Sequence, residues 1–253
     1  MLFKEVNKII KIIEKIDPNK DSIAFANEMI RNCATAVDQI RNAPGKEEVK
    51  QIVLQALAAG CIIRFIVPLP DKIKQISKLA QDSSCPLPAR CVLAGMLGYL
   101  VQPNDLIPDN AGGGYGFVDD AVLIHSVLAE YLSVFQLNSE EKKKSAESAR
   151  VAAGICPPAI VGPLCTAITG ITIGFQLFPQ LPTQVLETAL QQIIANPYQA
   201  TIQNAVPQGV SPGHVEGWTP QVPIRNSLGM TFTSEGGTMA ATFPDGGMVV
   251  MSS

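Results

Sequence analysis

Apolar residues recur at helical spacing through most of the first 150 positions. Leu2, Val6, Ile9, Ile13 and Ile16 stand 4-3-4-3 apart while Lys4, Lys8, Lys11 and Lys15 track another face. Residues 2–16 are therefore predicted to form a helix with a narrow apolar seam and a basic flank. Such a seam suits packing on a neighbouring helix, a membrane surface or a partner helix. A second seam (Ile23, Ala26, Ile30, Cys33, Val37, Ile40) predicts a helix over 22–42. With Asp17-Pro18-Asn19 between them, the two helices suggest an antiparallel hairpin. Ala43-Pro44-Gly45 breaks the chain. A third helix starts near Lys46, with Val49, Ile52, Val53, Ala56, Leu57 and Gly60 on one face. From Cys61 to Val67 it is apolar nearly all round, broken only by Arg64, as a helix in a core or in lipid would be. Further helices are predicted over 71–81, 89–101, 119–136 and 139–150, the last started by a capping-box-like Asn138/Glu141 spacing.

The pattern changes after Arg150. Residues 1–150 carry 18 basic and 18 acidic side chains, whereas the 103 that follow carry one basic residue, Arg225, and four acidic ones. From Val151 to Leu186 there is no charge. Within that stretch, 159–178 is long enough to cross a bilayer, though rich in Pro and Gly; 50–69 is a second candidate, and a buried core or interface segment is the alternative. Thr183 is predicted to cap a helix over 183–195. Residues 196–227, rich in Pro, Gly, Gln and Asn, read as a linker or arm. The runs 228–234, 238–243 and 248–252, separated by Gly-rich turns, read as a β meander. The expected fold is mainly α: a helical domain (1–150), an uncharged apolar helical segment (151–195), a Pro/Gly-rich arm (196–227) and a small C-terminal antiparallel β meander (228–253).

Composition narrows the function. With 253 residues, 47% of them hydrophobic, the chain can bury a large core. A net charge of −3 excludes nucleic-acid binding by phosphate neutralisation. Six cysteines without a C-x-x-C pair, and an amphipathic rather than uniformly apolar N-terminus, point to the cytoplasm or the cytoplasmic membrane face.

Residues 98–124 read GYLVQPNDLIPDNAGGGYGFVDDAVLI. Tyr99, then Pro103, Asp105, Leu106, Ile107, Pro108 and Asp109, then Gly116, Asp119 and Asp120 resemble the signature of the YkvA-like domain family, a helical domain of unknown function. The Gly-rich stretch Asn110–Gly114 departs from the pattern. The resemblance covers about a tenth of the chain. It implies a helical domain, often close to a membrane, and no activity.

The motif also reads physically. Pro103 and Pro108 interrupt helix continuation, Asp105 and Asp109 suit turn capping, and Asp119 and Asp120 suit a helix N-terminus. The sharper alternative is that Asp105, Asp109, Asp119 and Asp120 converge as oxygen ligands on a divalent cation such as Mg²⁺ or Ca²⁺. A metal-dependent hydrolase would also need an activated nucleophile, and none is evident. His125 lies about 140° and 240° around the helix from Asp120 and Asp119, so it reads as structural. His214 and Trp218 fall in the arm. Gly112–Gly114 precedes a helix, but two aspartates and no lysine exclude a phosphate site. No other cofactor is indicated. The leading expectation is a non-catalytic protein that self-associates as a homo-oligomer or joins a membrane through its charge-poor C-terminal half. The alternative is a metal-dependent enzyme or metal-binding module on the four aspartates.

Overall fold

Pro18 starts a helix rather than ending one. The structure, a computed structural model, describes residues 1–32, 34–102, 106–130 and 139–199, and four short strands between 224 and 252. Helix α1 (Leu2–Ile13) buries Leu2, Val6, Ile9, Ile10 and Ile13, and its lysines face outward. Helix α2 (Pro18–Arg31) follows at once. Proline at a first position lacks only an N–H that has no helical partner, and the Asp17 carboxylate accepts from the Asn19 N–H at 2.9 Å.

The predicted 22–42 helix is corrected in two respects. It breaks after Arg31, and a separate α3 spans Thr35–Asn42. At the break the Asn32 side chain donates to the Glu28 carbonyl at 2.9 Å, the local competition for backbone groups that ends helices. The seam is also turned: Ser22, Phe25, Ala26 and Met29 are buried, while Ile23 is exposed.

Helix α4 (Glu47–Cys61) runs on through a π-helical turn (Ile62–Ile66) to α5 (Leu69–Gln81), which carries Pro70 in its first turn. Leu54, Ala58, Cys61, Ile62, Phe65 and Ile66 point inward. The stretch Glu47–Gln81 is long and apolar enough to cross a membrane by length and composition, and 39% of its most apolar window is buried inside the fold. Helix α6 (Leu87–Leu100) is apolar on all sides beyond Arg90 in its first turn and is buried continuously from Cys91 to Gly98. A helix without a polar face belongs at the centre.

The charge-poor stretch joins the same core. Helix α7 (Val118–Glu130) packs along α8 (Ser139–Ile155), which runs past Arg150. Helix α9 (Pro158–Leu177) packs on α6 and α7, and α10 (Thr183–Ala195) on α6 and α1. Ile155, Leu164, Ile168, Ile171, Leu186, Leu190 and Ile193 share one apolar cluster with Leu2 and Phe25. The Met1 ammonium donates to the Ile194 carbonyl at 2.9 Å. Pro182, without a side-chain bond, stands at the cap of α10, so Thr183 is its first residue and not its cap. The molecule is mainly helical, with no strand among the described residues of 1–199. Of the C-terminal part, backbone strands β1 (Ile224–Arg225), β2 (Thr231–Glu235), β3 (Thr238–Thr242) and β4 (Met248–Ser252) pair antiparallel in sequence order. Most of the arm, with His214 and Trp218, lies outside the described residues, as do Cys33, Pro103 and Asp105.

Candidate functional site

The motif folds as a clamp between the end of α6 and the start of α7. After Ile107 the chain turns, with the Ala111 N–H donating to the Pro108 carbonyl at 2.9 Å, and enters a 3₁₀ turn over Gly112–Phe117. Gly113 and Gly114 adopt φ of +66° and +83°. A Cβ on Gly113 would collide with the Asp21 carbonyl and the Phe25 backbone of α2. The glycines that depart from the expected pattern therefore let the loop lie directly against α2. Tyr115, fully buried, locks the arrangement: its hydroxyl donates to the Ile155 carbonyl at 2.7 Å, and its ring meets Phe25 edge-on at 5.2 Å.

This clamp brings two acids within electrostatic reach of each other. Asp119, in the first turn of α7, is fully buried. Its Oδ2 accepts from the Tyr99 hydroxyl at 2.7 Å and from the Ile107 N–H at 3.3 Å. Its Oδ1 and the Oδ1 of Asp109 are buried with no hydrogen-bond partner. Burial, and then the charge of Asp119, push the Asp109 carboxyl up to about 7. Burial raises Asp119 as well, against the pull of the Tyr99 hydroxyl. Asp120 is buried beside it in the same turn, where the positive helix end favours negative charge.

The structure thus brings Asp109 and Asp119 together, keeps Asp120 adjacent in sequence, and leaves Asp105 outside the described residues. Among the described residues no three His, Cys, Asp or Glu side chains are grouped to hold a metal ion. His125 is buried edge-on to Phe65, ring centroids 6.3 Å apart. Burial, then the charges of Lys72 and Arg64, hold it neutral, down to about 3. Neither ring nitrogen has a hydrogen-bond partner, so it is aligned with no nucleophile. Sequence reasoning noted Tyr99 only as an aromatic and missed its hydroxyl's partner, because no helical period links positions 20 apart.

A second feature lies on α4. Val49, Ile52, Val53, Ile63 and Val67 are all exposed, Ile52 at 66% and Ile63 at 58%. Ala56 and Gly60, exposed between them, complete one face of a continuous helix. The apolar face legible on this helix in the sequence is therefore turned to solvent. The core takes the opposite side, led by Leu54, Ala58 and Cys61. Between Lys50 and Arg64 the helix carries no charge.

No curated protein and no solved structure matches this chain. Residues 89–125, from α6 through the clamp to His125, are similar to a protein family of unknown function, DUF1232, whose model they match.

Proposed function

We propose that this chain is a non-catalytic helical module that works by self-association, in the cytoplasm or at the cytoplasmic membrane face. The observation that carries the reading is the exposed α4 face. Monomeric soluble proteins rarely expose contiguous apolar patches of this kind without a use for them, and the cores of protein interfaces are depleted in charge as this face is. The charge-poor segment 151–195 gives less support than its composition suggests, since many of its apolar side chains lie in the chain's own core. The buried thiols of Cys61, Cys85, Cys91 and Cys156, none of them in a disulfide, suit a reducing compartment. Light scattering tests the reading. The full chain is expected at dimer mass or above without detergent, and the double variant Ile52→Asp/Ile63→Asp at monomer mass. Both side chains are more than half exposed, so the fold tolerates the change, whereas two carboxylates in an apolar contact raise the dissociation constant by about 100-fold or more. A monomeric wild type, or one soluble only in detergent, rejects the reading.

A second reading makes Asp109, Asp119 and Asp120, with Asp105, oxygen ligands for Mg²⁺ or Ca²⁺. Its support is the pair of buried, partnerless carboxylate oxygens on Asp109 and Asp119. Calorimetry with MgCl₂, CaCl₂ and MnCl₂ separates the two. Binding that disappears in Asp119→Asn favours the cation site, and no heat at millimolar metal removes it.

A further inference from the structure

The exposed face of α4 is self-complementary. With Ile52 on its flank, the face has six outward positions, 49, 53, 56, 60, 63 and 67, that stand 4-3-4-3-4 apart, the two-per-seven spacing of a seam that receives another helix. The exposure of Ile63 and Val67 carries the seam across the π-turn. The positions are also symmetric about residue 58. A second copy laid antiparallel on the first would set Val49 against Val67, Val53 against Ile63 and Ala56 against Gly60. Large side chains then meet large ones at the ends, and small ones meet at the centre. A two-fold axis requires one surface to fit itself in this way.

Gly60 supplies an independent argument. Glycine is among the worst residues for a helix interior, yet a Cβ built at Gly60 meets nothing within 4 Å, and its φ is not in the left-handed region. Nothing described in this chain requires a glycine there. A second backbone approaching over the centre of the seam would.

We propose that two copies of this chain pair through α4 and the π-turn as an antiparallel, two-fold helix contact centred on Ala56 and Gly60. The proposal rests on the self-association reading and adds its geometry. A broad lipid-facing surface would not need the narrow seam, the symmetry or the central glycine.

Interchain disulfide formation in the full chain tests it. Val53→Cys and Ile63→Cys variants are prepared separately, with wild type as the background for the native cysteines. Mixed, they should form a covalent heterodimer at least tenfold faster than either alone, because position 53 lies about ten residues, or about 15 Å, from its own copy in this register. Gly60→Leu should fold as wild type by circular dichroism but weaken the dimer at least tenfold. Rapid cross-linking of Val53→Cys with itself indicates a parallel pairing and overturns the proposal. A dimer that cross-links at none of these positions overturns it too, while leaving self-association standing. A chain that is monomeric at every concentration defeats both.

Discussion

Gly116→Ala is expected to destabilise the protein by about 3 kcal/mol or more, read as a lowered urea midpoint. A Cβ at this position would lie 2.5 Å from the Pro108 carbonyl oxygen and 2.7 Å from the Asp109 Cα. Those neighbours are backbone and cannot rotate away, as the end of a flexible side chain could. The clamp would have to open, and opening it moves Asp109 from Asp119 and threatens the contacts of Tyr115 with Phe25 and Ile155. The matched control is Gly154→Ala in α8. A Cβ there meets nothing within 4 Å, so the exchange should be neutral or stabilising by up to about 1 kcal/mol. Equal, small effects at both positions would show that the motif glycine is not a packing requirement.

The second large effect is in the pH dependence of stability. The Asp109 carboxyl is held at about 7 in the folded chain, above its ordinary value of 3.8. A carboxyl raised on folding stabilises the native state most at low pH, and that stability is lost as pH rises through the folded value. The wild type should therefore be less stable at pH 8 than at pH 5. Asp109→Asn should remove much of that slope and stabilise the protein at pH 8 by about 2 kcal/mol, a figure discounted for the partial exposure of the side chain. His125 acts with the opposite sign. Its folded value, about 3, lies below the ordinary 6.5, so its contribution is full above 6.5 and is lost as pH falls toward 3. Between about pH 4 and 6.5 the two slopes oppose each other, so the wild type should be most stable on a shallow plateau there and lose stability on either side of it. Chemical denaturation at pH 5, 6.5 and 8 measures this. A variant slope equal to the wild-type slope would mean that Asp109 is not the group responsible.

The helical character of the chain was legible because helix periodicity is a local property. The seam of α1 and the all-round apolar α6 carry their burial in their own sequences. What spacing does not encode is which side of a helix the rest of the molecule occupies. On α4 two sides are apolar, Val49/Val53/Ile63 and Leu54/Ala58/Cys61, and the choice between them is made by α2, α3 and the π-turn against which this helix packs. On α2 the same ambiguity reversed the reading of Ile23. The break at Asn32 was hidden because a side chain that competes for its own backbone leaves the apolar period intact. At the motif, helix-start chemistry accounted for the place of Asp119 and backbone freedom for Gly113 and Gly114, whereas the turn-capping role expected of Asp109 has no hydrogen bond behind it: its Oδ1 is buried without a partner. The bond from Tyr99 to Asp119 and the raising of Asp109 by the charge of Asp119 depend on how two separated segments meet, which no period records.

The central claim is that self-association uses the α4 face and not the charge-poor segment 151–195. Hydrogen–deuterium exchange on the full chain, at concentrations above and below the dissociation midpoint, tests this most directly. Slower exchange on association is expected in peptides covering 47–67, with 151–195 unchanged. Protection that instead appears in 151–195 and leaves 47–67 unchanged would contradict the account.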